Sequence, residues 1–315
     1  MSQGRVFIAD DFHPVLLQML DEESVPYDYE PHATREDIFQ ALQAGAVGLI
    51  LRSKTQADKE LIAQGAGLKF IGRGGAGMDN VDEEAANTAG IVCFNAGEAN
   101  SDAVGEHTLG MLLSLLHKIA KADKEVRKGI WHREENRGLE LAGKTVGIIG
   151  FGNTGSAVAK KLSGFNVRVI AYDKYKTGFS NDWVTEVTEQ EIFENVDILT
   201  LHIPLDSHTK NMVNTEYLQR FVRKIYLLNA SRGKIVNTKS VVEFLNSGKI
   251  LGFAADVLEH ENPLQMGDTE KLWFDALCQK DNVMLTPHVA GWTVESYEKI
   301  ARVLASKVCE RWPWQ

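Results

Sequence analysis

A chain of 315 residues, 44% hydrophobic and 24% charged, has room for two domains and the composition of an ordinary globular protein. Its formal charge of −9 excludes a general attraction to nucleic acid or to an anionic membrane, because both are polyanions. Three scattered cysteines without a Cys-x-x-Cys pair point to reduced thiols and a cytoplasmic setting. No secretory core precedes Arg5, and no apolar run approaches the roughly 18 residues of a membrane span.

Residues 1–98 alternate strand and helix signals. Strands are expected at Arg5–Ala9, Tyr27–Glu30, Val47–Arg52, Leu68–Gly72 and Ile91–Asn95, with helices between them such as Val15–Glu22 and Asp58–Gln64. This alternation predicts a parallel sheet covered by helices. The glycine-rich loop Arg73-Gly-Gly-Ala-Gly77 follows the fourth strand. Ligands collect at the carboxyl ends of parallel strands, so the loop is a candidate site. Ser101 can cap a long helix predicted to run to about Lys128, with Val104, Thr108, Met111, Leu112 and Leu115 on one side. Trp131-His132-Arg133 lies in a polar, irregular segment after it.

The stretch Lys144–Asp173 carries the clearest motif. Val146–Ile149 suits a buried parallel strand. Gly150-Phe-Gly152-Asn153-Thr154-Gly155 then has dinucleotide spacing: a tight turn at Gly150, close backbone approach to a pyrophosphate at Gly152, close helix–strand packing at Gly155. A helix from Asn153, with Ala157, Val158 and Leu162 at helical spacing, would aim free N–H groups at a phosphate. The next strand ends at Asp173, about 20 residues on, where an acid should meet the adenosine ribose.

Further strands are expected at Asp197–His202, Ile225–Asn229, Leu251–Asp256 and Val283–His288, and a last helix at Thr293–Trp312. Each strand delivers a polar residue at or just beyond its carboxyl end: His202, Arg232, Asp256 and His288. In a parallel sheet those ends share one edge, so distant residues can converge. Taken singly, each has a structural reading: a hydrogen-bonded histidine at His288, a solvated acid at Glu261, a surface ion-pair partner at Arg232, a loop brace at Asp256. Oxidation of an α-hydroxy acid by hydride transfer needs a base for the hydroxyl proton, a cation for the carboxylate and a group that tunes the base. Histidine, arginine and a carboxylate suit those roles. The hard chemistry would sit in a nicotinamide cofactor, with no metal.

Across nearly its whole length the chain resembles the D-isomer-specific 2-hydroxyacid dehydrogenase family. The matching motifs are Gly150–Gly155 with Asp173, His202-Ile203-Pro204-Leu205, Asn229-Ala230-Ser231-Arg232-Gly-Lys-Ile-Val236, Asp256-Val257 with Glu261, and Thr286-Pro-His288-Val-Ala-Gly291. The resemblance implies an α/β fold of two doubly wound parallel-sheet domains. A Rossmann cofactor domain (99–289) would be inserted into a flavodoxin-like substrate domain (1–98 plus 290–315). It implies that Arg232 binds the substrate carboxylate, that Glu261 pairs with His288, and that His288 is the general acid/base. It implies NAD as cofactor, contacted at Ala76, Val104, Gly150, Gly152, Asn153, Thr154, Gly155, Asp173, His202, Ile203, Pro204, Ala230, Ser231, Arg232, Asp256, His288 and Gly291. Asp256 would hold the nicotinamide amide. Asn262 interrupts the family's Glu-Pro pair, which leaves Glu259 as a weaker alternative to Glu261.

Within the family, Arg52-Ser53-Lys54-Thr and the Arg73–Asp82 loop resemble the subgroup that oxidises 3-phosphoglycerate to 3-phosphohydroxypyruvate in serine biosynthesis. Substrate contacts are then implied at Arg52, Ser53, Arg73, Gly75, Ala76, Gly77, Arg232 and Arg133, the last reaching a partner subunit's site in a homodimer. The alternatives are a glyoxylate or hydroxypyruvate reductase, another D-2-hydroxyacid dehydrogenase, or a dinucleotide-sensing corepressor-like protein. Domain closure is expected, with hinges near Ala96–Ser101 and Val289–Gly291.

Overall fold

The computed structural model describes residues 4–314. In chain order the elements are β1 (Val6–Ile8), α1 (Val15–Glu22), β2 (Tyr27–Tyr29), α2 (Arg35–Gln43), β3 (Gly48–Leu51), α3 (Lys59–Gln64), β4 (Phe70–Arg73), α4 (Glu83–Thr88), β5 (Val92–Asn95), α5 (Ser101–His117) and α6 (Ile119–Val126). There follow β6 (Thr145–Ile149), α7 (Asn153–Leu162), β7 (Arg168–Tyr172), β8 (Thr185–Glu186), α8 (Glu189–Asn195), β9 (Ile198–Leu201), α9 (Thr215–Gln219), β10 (Ile225–Asn229), α10 (Thr238–Asn246), β11 (Ile250–Ala255), α11 (Asp268–Cys278), β12 (Val283–Leu285) and α12 (Val294–Cys309). They form two compact units, Met1–Asn100 with Trp292–Gln315 and Ser101–Gly291.

The first unit is built on a five-stranded parallel sheet of order β2-β1-β3-β4-β5. Alternation along the strands divides its apolar residues between two faces. Val6, Ile8, Ile50 and Phe70 meet Leu16 and Leu20 of α1 and Ile300, Leu304 and Val308 of α12. Phe7, Leu49, Leu51 and Ile71 meet Ile38 and Leu42 of α2 and Leu61 of α3. Helix α12 therefore completes a core begun by the first strand. The tail after it docks as well: the Trp314 ring lies 4.5 Å from that of Phe70, and its Nε1 donates to Val308 O at 3.2 Å.

The second unit is a seven-stranded parallel sheet of order β12-β11-β10-β9-β6-β7-β8. Val146, Ile148, Val169 and Ile198 pack against α5 and α7, while Ile149, Ile170, Leu199 and Leu227 pack against α8, α9 and α10. The strand order reverses between β6 and β9, the switch point at which open α/β sheets bind ligands.

One expected element differs. The helix predicted to run from Ser101 to about Lys128 is two helices. Lys118 takes the left-handed conformation (φ 56°), ends α5 and turns the chain into α6. A lysine carries no sequence signal of a break, since glycine or asparagine is the usual left-handed residue. Beyond the turn, α6 buries none of its residues and exposes Ile119 and Val126. Among the described residues no helix is long and apolar enough to cross a membrane, and no cluster of three or more His, Cys, Asp or Glu could hold a metal.

Candidate active site

The dinucleotide motif occupies the β6–α7 turn. Gly150 has φ +91°, and a Cβ there would fall 2.3 Å from His202 O. A Cβ on Gly155 would fall 2.1 Å from Gly150 O. Both positions thus exclude any side chain: the first allows the turn to cross the end of β9, the second lets α7 sit against the turn. Gly152 differs, because a Cβ there meets no protein atom within 4 Å. It precedes the ten-residue helix α7, whose N-terminus has no side-chain cap. Uncapped N–H groups of Asn153, Thr154 and Gly155 under an open glycine fit a pyrophosphate.

Asp173 lies just beyond β7. Its Oδ2 accepts the Phe151 N–H at 2.7 Å, and its Oδ1 accepts those of Tyr175 and Lys176 at 2.8 and 2.9 Å. Partial burial alone would raise its pKa. The backbone donors outweigh that and hold it below the ordinary value, so the group is anionic at neutral pH. The carboxylate is therefore locked to the glycine turn, with acceptor capacity left for a ribose hydroxyl. Lys176 Nζ is turned to Phe151 O at 3.3 Å, and Lys174 lies over the Tyr175 ring.

Across the switch point, buried His202 follows the last residue of β9. Its Nε2 lies 2.9 Å from Thr200 Oγ1, while Nδ1 has no hydrogen-bond partner among the described residues. Burial lowers its pKa to about 4, so the ring is neutral. Ile203 and Pro204 follow, half-buried and exposed. Ser231 fastens this loop to the next strand: its hydroxyl donates to Leu201 O at 2.6 Å and accepts Ile203 N–H at 3.2 Å. Fully buried Asn229 shapes the β10 turn, accepting Ser231 N–H and donating to Arg232 O, each at 3.0 Å. Ala230 lies inside that turn. Arg232 leaves it in extended conformation with Nη1 donating to Ser231 O at 2.7 Å. Asn229 is thus a positioning residue that the strand pattern alone does not reveal.

Strands β10, β11 and β12 are neighbours, and their carboxyl ends carry Arg232, Asp256 and His288. His288 Nδ1 lies 2.9 Å from Glu261 Oε2, with both side chains about half exposed. A carboxylate can only accept, so the shared proton sits on Nδ1 and leaves Nε2 free to take or give one. The other acid near this loop is engaged elsewhere: Glu259 accepts the Thr238 N–H at 2.6 Å, at the start of α10. The extra Asn262 does not displace the pairing.

Asp256, only 1% exposed, is a brace. Its Oδ1 accepts the Thr286 hydroxyl at 2.5 Å and Val289 N–H at 2.9 Å, and its Oδ2 accepts Ala290 N–H at 2.7 Å. Its backbone carbonyl accepts His288 N–H at 2.7 Å. These four bonds wrap the loop that holds His288 at φ 57°, a conformation sparsely populated by non-glycine residues. His107 on α5 completes the group, its Nε2 lying 2.9 Å from Thr286 Oγ1 and 3.5 Å from Asp256 Oδ1. Nothing in the spacing of the α5 residues singled out His107. Val104, one turn earlier on the same helix, is buried, and Gly291 closes the loop half-buried.

The remaining substrate candidates lie elsewhere. Arg133 is exposed in the segment between α6 and β6. The first unit carries the rest. Arg52, one residue beyond β3, stacks over Trp292 at 4.4 Å; Ser53 beside it is exposed. Arg73 ends β4 and folds back over the glycine loop, where a Cβ on Gly75 (φ +148°) would collide with its Nη1. Asn95 Nδ2 pins that loop through Ala76 O at 2.7 Å, and Gly77 is half-buried beside it.

The model of the D-isomer specific 2-hydroxyacid dehydrogenase NAD binding domain matches residues 109–290. The chain is 31% identical to D-3-phosphoglycerate dehydrogenase of Methanocaldococcus jannaschii, over 96% of this chain and 56% of that protein. It is 30% identical to hydroxypyruvate reductase of Thermotoga maritima, over 98% of both. The solved D-lactate dehydrogenase of Aquifex aeolicus, complexed with NAD and lactic acid, superposes with a TM-score of 0.82 at 25% identity, covering 98% of this chain and 95% of that one. The chain thus spans about half the length of the phosphoglycerate dehydrogenase it matches.

Proposed function

The chain belongs to the D-isomer-specific 2-hydroxyacid dehydrogenases, and from that premise we propose that it oxidises 3-phosphoglycerate to 3-phosphohydroxypyruvate with NAD. The His288–Glu261 pair carries the catalytic part of this reading. His288 Nε2 takes the proton of the substrate's C2 hydroxyl. Glu261 keeps Nδ1 protonated and holds the ring plane. The Arg232 guanidinium holds the substrate carboxylate, its planar fork matching the two oxygens. Acceptance of the hydride from C2 is the chemistry that NAD would supply. The open Gly152 turn and the α7 N-terminus suit its pyrophosphate. The Asp173 carboxylate suits its ribose hydroxyls and would repel a 2′-phosphate, so NAD is preferred over NADP by more than about tenfold in kcat/KM.

Arg52 and Arg73 favour a phosphorylated substrate, in keeping with the similarity to the Methanocaldococcus enzyme. A second reading, reduction of hydroxypyruvate or glyoxylate, is favoured by the similarity to the Thermotoga enzyme over 98% of both proteins. A substrate panel followed through NADH absorbance separates them. The first reading expects the highest kcat/KM with 3-phosphoglycerate, and equal or higher values with unphosphorylated acids would replace it by the second. The absence of hydride transfer to or from any hydroxy acid would turn the reading to a dinucleotide-sensing binding protein.

Helix α6, which buries none of its residues and exposes Ile119 and Val126, supports a homodimer together with exposed Ile130 and Trp131 just beyond it. Light scattering at the mass of one chain would overturn it. Three free cysteines suit a reducing cytoplasm.

A further inference from the structure

Arg52 is surrounded by aromatic rings. Its guanidinium carbon lies 4.4 Å from the centroid of Trp292, 5.4 Å from that of Tyr297 and 5.8 Å from that of Phe12. Two carboxylates lie close by, yet both are turned to other donors. Asp10 Oδ2 accepts the Arg52 backbone N–H at 2.6 Å, and Asp11 Oδ2 accepts the Tyr297 hydroxyl at 2.6 Å. Among the described residues the guanidinium forms no ion pair, and its single hydrogen bond runs from Nη1 to Asp11 O at 3.3 Å. A partly desolvated cation without a direct ion pair is a costly arrangement. The ring stack offsets part of that cost and leaves the cation's charge available. With Nη1 engaged, the Nε–H and the adjacent Nη2–H remain, side by side on one edge. That edge is the fork which receives an oxoanion through two parallel hydrogen bonds.

We propose that Trp292 is a specificity-determining residue: with Tyr297 it fixes the plane of Arg52 so that the Nε–Nη2 edge receives a second anionic group of the substrate, remote from the reacting carbon. The inference rests on the hydroxyacid reading above. The two cage residues act differently. Trp292, 55% exposed, supplies the flat face that sets the orientation of the fork. Tyr297 supplies a second face and occupies Asp11, which would otherwise compete with the substrate anion for Arg52. Lysine would not replace arginine here, since a point charge has neither a plane to stack nor a fork to aim.

The test is the ratio of kcat/KM for 3-phosphoglycerate to that for D-glycerate, which lacks only the phosphate. Trp292→Leu keeps an apolar side chain and removes the aromatic face; it is expected to lower the ratio about tenfold or more through KM, with Trp292→Phe restoring most of it. Tyr297→Phe releases Asp11 and is expected to lower the ratio in the same way, a second route should Trp292→Leu fail to fold. An unchanged ratio in a folded Trp292→Leu or Tyr297→Phe variant, with Arg52→Ala still lowering it, would overturn the inference alone. An unchanged ratio in Arg52→Ala would overturn the phosphorylated-substrate reading along with it.

Discussion

His107 Nε2 sits 2.9 Å from Thr286 Oγ1, a contact spanning 179 residues that ties helix α5 to the loop bearing His288. Through Thr286 it reaches Asp256, whose carboxylate holds the same loop at Val289 and Ala290. His107→Phe should therefore cost about 1 kcal/mol of stability, the scale of one lost hydrogen bond. It should also lower kcat by about tenfold with KM for NAD nearly unchanged, because the loop loses definition around His288, the proposed acid/base. His107→Gln, which keeps a donor, should recover much of kcat. Denaturant melts and steady-state kinetics on the three proteins decide this; equal kcat in all three would remove His107 from the positioning set.

His288→Ala should lower kcat by about 10²–10⁴-fold while calorimetry finds NAD affinity close to wild type. Glu261→Gln should have a smaller effect on kcat, since an amide can offer Nδ1 either a donor or an acceptor and so fixes no single tautomer. An undiminished kcat in His288→Ala would end the acid/base assignment.

Gly155→Ala and Gly152→Ala should part company. The first places a methyl group 2.1 Å from Gly150 O and should destabilise the unit by more than about 2 kcal/mol or prevent folding. The second meets no protein atom, so its melting temperature should stay near wild type while KM for NAD rises about tenfold. Thermal melts beside NAD titrations test the pair, and a stable Gly152→Ala variant with unaltered NAD affinity would place the pyrophosphate elsewhere.

His202 gives the protein a pH dependence. Unfolded, its imidazole takes a proton near 6.5; folded, burial holds it neutral down to about 4. Its contribution is fully present above pH 6.5 and is lost as the pH falls toward 4, because the unfolded state binds the extra proton. The loss is of the order of 3 kcal/mol across that interval. His202→Gln should flatten the stability curve between pH 6.5 and 4, as urea melts at several pH values would reveal. An identical slope in the variant would mean that another group sets it.

Much of this arrangement was legible in the sequence, for physical reasons. Buried parallel strands are continuous apolar runs ended by polar residues, so Val146–Ile149 and Ile225–Asn229 could be read to within a residue of β6 and β10. The glycine spacing with Asp173 marked the switch point because close backbone approach admits no other residue. The contact between His288 and Glu261 was legible through family resemblance and not through spacing: nothing in the interval of 27 residues between them announces it. What stayed hidden depends on tertiary placement. The turn at Lys118 is made by a residue without left-handed preference. The links from His107 to Thr286 and from Trp292 to Arg52 join elements far apart in the chain. Asp256 looked equally suited to a ligand or a brace, and only its three donors show how fully the loop engages it.

Helix α12 supplies Ile300, Leu304 and Val308 to a core whose other members begin at Val6. During synthesis, then, the sheet of the first unit emerges from the ribosome with the apolar side of β1, β3 and β4 still awaiting a helix encoded nearly 300 residues later. The second unit has its whole chain by residue 291 and can settle first. The nascent protein thus carries an open hydrophobic face through most of its translation. Shortening the chain ahead of α12 should therefore yield a product dependent on chaperones, even though the whole nucleotide-binding motif is present.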